Sequence, residues 1–251
     1  MRRLAAILAT GIAIFLLWEG ASRTELVDPV LLPPASAVFG KLGAELVSRE
    51  FLLHLGSTMW LMLSGFLLAV LLGVPLGIAL GLSRALDALL MFYVDFLRSL
   101  PAAALIPMFL VLFTGDLART LVIGTACGLI MTIGSRSGVL GVNPVRREIA
   151  TILGWRPYEL FRKLLFWEMI PAIALAGRIA LSTALILATV LEMLLGARYG
   201  LGDVLFTSAP VDKPRMYAVI IILGCLGYLL NSSFRFIEGW LERMGLQASS
   251  Q

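Results

Sequence analysis

Six apolar stretches constrain this chain more than any other feature of its sequence. They run approximately from Leu4 to Trp18, Ser57 to Leu80, Leu86 to Phe113, Leu117 to Ile133, Met169 to Leu195 and Tyr217 to Asn231. A helix rises about 1.5 Å per residue, so roughly 20 apolar residues match a hydrocarbon core about 30 Å thick. Composition agrees with that reading: 59% of the 251 residues are hydrophobic, 14% are charged and the mean hydropathy is +0.95, far from a soluble domain's balance. The chain reads as an all-α membrane protein with about six transmembrane helices. One domain over 1–251 is expected, since nothing between the stretches is long enough to bury a core of its own. The first stretch has a second reading, because Met1-Arg2-Arg3, an apolar run and Glu19-Gly20-Ala21-Ser22 also describe a cleaved secretory signal.

Lysine and arginine near span ends are retained on the cytoplasmic side. With both termini inside, Arg2, Arg3, Arg84, Arg136, Arg146, Arg147, Arg156, Arg162, Lys163, Arg235 and Arg243 all fall on that side. The first loop, opposite, sets Arg23, Lys41 and Arg49 against Glu19, Glu25, Asp28, Glu45 and Glu50. The net charge of +4 therefore follows from topology and anionic lipid and gives no reason to invoke nucleic acid. Cys127 and Cys225 fall within spans and read as small packing residues.

Gly73, Gly77 and Gly81, and again Gly124 and Gly128, recur at every fourth position, which predicts spans that approach closely. Pro75, Pro101 and Pro107 each remove an amide donor inside a span and predict local breaks. After Pro33 and Pro34, the residues Val38, Phe39, Leu42 and Leu46 have helical spacing and are expected to lie on the outer membrane surface.

The segment from Asn143 to Pro171 is the best functional clue. Asn143 can cap a helix that starts at Pro144, whose missing amide hydrogen would have been unpaired there anyway. Val145, Ile149, Ile152 and Leu153 form one apolar stripe, with Arg146, Arg147 and Glu148 away from it, and Gly154 stands where a left-handed terminator is wanted. Pro157 opens a second short helix carrying Leu160, Phe161, Leu164 and Leu165. Two short helices at a glycine corner make a compact knob, suited either to docking on a partner or to resting on lipid.

Glu148-Ile149-Ala150, three residues, Gly154 and an apolar stretch leading to Ile170-Pro171 resemble the EAA-type loop of ABC importer permeases. Ile149 replaces the usual first alanine, Trp167 stands where a proline is common, and Pro171 is retained. In that family the loop fits a groove on a cytoplasmic ATPase. The resemblance implies that Arg147, Glu148, Ala150, Gly154 and Trp155 are coupling residues, within a loop of about 143–165.

The likeness extends from about Leu31 to Leu241 and is similar to the nitrate, sulfonate and taurine importer group. It rests on Leu32-Pro33-Pro34-Ala35-Ser36, Ser64-Gly65-Phe66, Gly73-Val74-Pro75-Leu76-Gly77, Arg98-Ser99-Leu100-Pro101 with Ile106-Pro107, Gly177-Arg178-Ile179-Ala180, Glu192-Met193 and Gly200-Leu201-Gly202. Taken together these imply a MetI-like fold in a bacterial inner membrane and a homodimeric pore. They also imply a cytoplasmic ABC ATPase dimer that holds the ATP-Mg, a periplasmic or surface solute-binding protein, and a small anion such as a sulfonate, taurine or nitrate as cargo.

No cofactor is expected in this chain. It has no Walker A loop, since Gly40-Lys41 is followed by Leu42 with no glycine five positions earlier. Gly134-Ser135-Arg136-Ser137-Gly138 is not a nucleophile elbow, and neither an HExxH helix nor clustered Cys and His residues offer metal ligands. His54, the only histidine, reads as structural.

Charges inside spans cost about 2.5 to 3.5 kcal/mol on insertion scales, so Asp95, Arg98, Arg178 and Glu192 are candidates for a translocation path or gate. Asp95 and Arg98, three apart, can pair. Arg178 can face a central cavity and favour an anion, or snorkel. Glu192 with Gly200 and Gly202 can shape an outer gate or stand as an interface carboxylate. The alternative to an importer subunit is an ion-coupled secondary carrier, whose ion site Asp95 or Glu192 would have to supply.

Overall fold

A computed structural model describes residues 2–243, and helix is the only regular structure among them. In chain order the helices are α1 (Arg2–Arg23), α2 (Ala35–Leu46), α3 (Arg49–Leu82), α4 (Arg84–Ser99), α5 (Ile106–Leu112), α6 (Gly115–Leu140), α7 (Pro144–Ile152), α8 (Pro157–Leu160), α9 (Phe166–Leu195), α10 (Leu201–Ser208) and α11 (Lys213–Arg243). A 3₁₀ turn over Ala102–Leu105 precedes α5, and a π turn over Phe161–Leu165 joins α8 to α9.

Long apolar runs become long helices because a backbone in hydrocarbon has only itself to pair with. Among the described residues, four helices are long and apolar enough to cross a membrane: α3, α6, α9 continued back to Pro157, and α11 as far as Phe236. Helix α4 and the segment Ala102–Leu112 make a fifth span only as a bent pair, at 98°. Helix α1 covers the first apolar stretch, with Leu8, Ile12, Leu16 and Leu17 turned outward. The six stretches thus appear as five continuous helices and one broken one.

The break falls at Pro101. Its ring disfavours helical backbone at the preceding residue, and Leu100 is extended (φ −76°, ψ 135°). Pro107 lies in the first turn of α5, where no amide donor is needed. The break expected at Pro75 is absent, and α3 runs through it without interruption. Pro75 lies on an exposed face, while the buried glycines on either side of it, Gly73 and Gly77, seat the helix on α6.

That seat is backbone against backbone. A β-carbon at Gly73 would lie 2.5 Å from the Gly128 carbonyl oxygen, and one at Gly77 would lie 2.2 Å from that of Thr132. On another side of α6, a β-carbon at Gly134 would lie 2.2 Å from Ala176 Cβ, which brings α9 equally close. Dispersion between closely packed helices holds such pairs when lipid is as apolar as the side chains. Helix α6 is also fixed to α4 by Arg136, whose guanidinium donates to both Asp87 oxygens.

The described residues form two compact units, one from 2–58 with 189–226 and the other from 59–188 with 227–243. The α3–α6–α9 packing belongs to the second. In the first, Phe51, Leu201, Val204, Val219 and Ile222 form a buried apolar cluster. The N-terminus of α2, preceded by Pro34 with no capping side chain, is closed from α1 instead. There Glu19 accepts the Ser36 amide at 2.9 Å and the Ser36 hydroxyl at 2.8 Å, and pairs with Arg23. The Ser36 amide and then Arg23 hold the Glu19 carboxyl down at about 2.

Candidate functional site

The knob between α6 and α9 forms as its sequence predicts. Asn143 Oδ1 accepts the Val145 amide at 2.9 Å, which caps α7 with Pro144 in its first turn. At the other end Gly154 takes φ +71°. Its amide donates to Thr151 O at 3.0 Å and the Trp155 amide to Ala150 O at 3.1 Å, the two bonds of a Schellman ending. The Glu159 carboxylate then accepts the Arg156 amide at 3.0 Å and the Lys163 ammonium at 2.9 Å, fixing the start of α8.

With its ends locked, α7 leaves its apolar stripe uncovered. Val145 is 60% exposed, Ile149 50%, Ile152 78% and Leu153 63%. A stripe of this kind on a short, capped helix suits docking in a partner's groove or resting on lipid. The five residues expected to couple divide around it. Glu148 is exposed and Arg147 half-buried. Ala150 is buried, Gly154 makes the corner, and Trp155 is half-buried with Lys163 Nζ 5.1 Å from its ring centroid.

Sequence reasoning missed Glu168 at the start of α9. Its Oε1 accepts Arg146 Nη1 at 2.6 Å, and its Oε2 accepts the Asn143 amide at 3.2 Å. A lone carboxylate in the apolar run from Leu164 to Leu175 was the signal available.

Within the second unit, two apolar hollows of ≈ 280 Å³ and ≈ 320 Å³ share Arg98 and Ile130. The first is walled by the α4–α5 break and α6, the second by α6 and α9 through Gly134, Ala172, Ala176 and Ile179. Among the described residues that line them, Arg98 is the only charged one. It pairs with Asp95 at 3.3 Å, and both side chains are at least half exposed, so the pair is weak and exchangeable. Arg178 does not line these hollows. Its Nη1 donates to Glu238 Oε2 at 2.9 Å, which balances the charge that the sequence offered to an anion.

Glu192, Gly200 and Gly202 do come together, in the first unit. Glu192 is buried and accepts the Gly202 amide at 3.0 Å and the Thr58 hydroxyl at 2.9 Å. Thr58 Oγ1 accepts the Leu201 amide at 2.8 Å, and the Gly200 amide donates to His54 Nδ1 at 2.9 Å. Three consecutive amides at the start of α10 are thus held by side chains of α3 and α9. Gly200 is required because a β-carbon there would meet Glu192 Cδ at 2.5 Å.

The comparisons fit this architecture. Residues 69–244 match the family described as binding-protein-dependent transport system inner membrane component. The chain is 28% identical over 218 residues to a putative ABC transporter permease of Methanocaldococcus jannaschii, covering 86% of this chain and 79% of that protein. It is 26% identical to a putative aliphatic sulfonates transport permease of Bacillus subtilis (90% and 82% covered) and 26% identical to a formylaminopyrimidine transport permease of Halalkalibacterium halodurans (91% and 91%). The fold is that of a chain in the inward-facing MetNI methionine ABC transporter, with a TM-score of 0.65 at 20% identity over 78% of this chain and 99% of that one. With the family model covering well over half its length, the chain belongs to the binding-protein-dependent transport system inner membrane components, the permease subunits of ABC importers.

Proposed function

We propose that this permease docks a cytoplasmic ABC ATPase through the α7 knob and conducts a small anion delivered by a separate binding protein. The carrying observation is the uncovered stripe Val145, Ile149, Ile152 and Leu153 on a helix closed at both ends. An interfacial helix uses such a stripe against lipid, but the knob also ties back to α9 through Glu168, as a part that transmits force requires. Two copies of the chain form the pore, both termini are cytoplasmic, and ATP-Mg sits on the partner. The name of the Bacillus subtilis relative supports a sulfonate as the cargo. Arg98, at the junction of the two hollows, is the cation that favours it, since Arg178 is matched by Glu238.

The test is co-purification from native membranes of the wild type and of Ile152→Asp, which places a charge on the stripe without touching a buried contact. A stoichiometric ATPase with the wild type, lost in the variant at equal membrane level, is expected. An ATPase retained equally by both would refute the docking face.

A further inference from the structure

We infer that Glu168 is a positioning residue that carries movement of α7 into α9. The inference rests on the importer reading above. Helix α7 joins α6 through the three residues Gly141, Val142 and Asn143, whereas along the chain it reaches α9 only from its other end, by way of the Gly154 corner, α8 and the π turn. Glu168 adds a direct tie between the Asn143 end of α7 and α9. Each of its two oxygens takes a different donor on α7: the backbone amide of the capping residue Asn143, and the guanidinium of Arg146. A carboxylate there also faces the positive end of the α7 peptide dipoles. With only 16% of its side chain exposed, Glu168 is held in that orientation, whereas Arg146 is 63% exposed.

The position of Glu168 on α9 is what gives the contact a consequence. It lies in the first turn, directly after the π turn Phe161–Leu165. Ala172, Ala176 and Ile179 follow on the same helix and line the hollow that contains Arg98. From Glu168 to Ile179 the helix rises about 16 Å. A pull on the Asn143 end of α7 is therefore applied to the helix that walls the hollow, as well as to α6. A π turn adds a residue to one turn and locally loosens the helix. Glu168 thus grips α9 on the rigid side of that turn.

The test uses the intact complex of permease and ATPase in lipid nanodiscs. Cys127 and Cys225 are replaced by alanine and Ile179→Cys is added, to be labelled by a maleimide with and without ATP plus vanadate. The readout is the ATP-driven change in labelling rate, divided by the ATP hydrolysis rate of the same preparation measured before vanadate is added. That ratio does not respond to a loss of stability alone. Removing a charge-assisted contact typically shifts an equilibrium about tenfold or more, so Glu168→Ala is expected to lower the ratio about tenfold with the ATPase still bound. Glu168→Gln, which can still accept the Asn143 amide, should recover part of it. The exchange of Arg146→Glu with Glu168→Arg should recover another part.

An unchanged ratio in Glu168→Ala overturns the inference. Should that variant fail to assemble, wild-type ratios in both Glu168→Gln and Arg146→Ala overturn it. A wild-type complex that holds its ATPase but shows no ATP-driven change at Ile179→Cys overturns the inference alone. A wild type that never holds an ATPase refutes the importer reading instead.

Discussion

Gly77→Ala should destabilise the permease although alanine is the better helix former. The added β-carbon would lie 2.2 Å from Thr132 O and 2.8 Å from Ser135 Cβ. Ordinary contact begins at 3.4 Å, so α3 and α6 must part by 3.4 − 2.2 = 1.2 Å at that level. The obstacle is a backbone oxygen and cannot rotate away. Overpacking costs about 1 to 3 kcal/mol, with this site toward the upper end, while helix propensity returns about 1 kcal/mol. The net loss is about 1 to 2 kcal/mol. At about 2 to 4 °C per kcal/mol for a chain of this size, the midpoint for loss of monodisperse protein in detergent should fall by several degrees. Two controls share the propensity gain without the clash. Gly56 has nothing within 4 Å of a built β-carbon, and at Gly128 the nearest atom is 3.8 Å away. Both alanine variants should match or exceed the wild type. A Gly77→Ala midpoint equal to that of Gly56→Ala would refute the backbone-contact account of the α3–α6 seat.

Gly154→Val forces a β-branched residue to φ +71°, a strained backbone costing about 1 to 3 kcal/mol. ATPase recovery on co-purification should drop severalfold at equal membrane level, and an unchanged yield would contradict the role of the corner. Glu192→Ala removes the acceptor of the Gly202 amide and the Thr58 hydroxyl and should cost about 1 to 3 kcal/mol. Protease sensitivity of the 196–200 turn should rise in that variant and less in Glu192→Gln, and equal sensitivity in all three proteins would count against the clamp. Glu19 supplies a pH test: its folded value of about 2 lies below the ordinary 4.5. The contact with Ser36 therefore adds stability above about pH 4.5 that is lost as pH falls toward 2. Proteolysis between α1 and α2 should increase with acid over that window, and Glu19→Gln should abolish the dependence.

Local rules made much of this molecule legible. The α7 cap at Asn143, its stripe and its ending at Gly154 depend on residues within a few positions of one another, and all three have the expected geometry. The apolar stretches were as plain, because hydrocarbon tolerates few alternatives to helix. The proline breaks were legible only in part: Pro101 ends a helix, whereas Pro75 is carried through by the glycine seat against α6, a contact more than 50 residues away. Charge pairing was the least visible layer. Arg178 finds Glu238 across 60 residues and Glu192 finds Thr58 across 134. Those partners follow from helix packing and not from local spacing.

The most direct measurement places a photo-reactive amino acid at Ile152, 78% exposed on the α7 stripe, in native membranes, with Leu26 in the first loop as the control position. The account predicts a single protein adduct at Ile152 that contains a phosphate-binding Walker loop, absent at Leu26 and weakened by Gly154→Val. Adducts at Ile152 with lipid alone would contradict it, and would make the knob an interfacial element with no ATPase to couple.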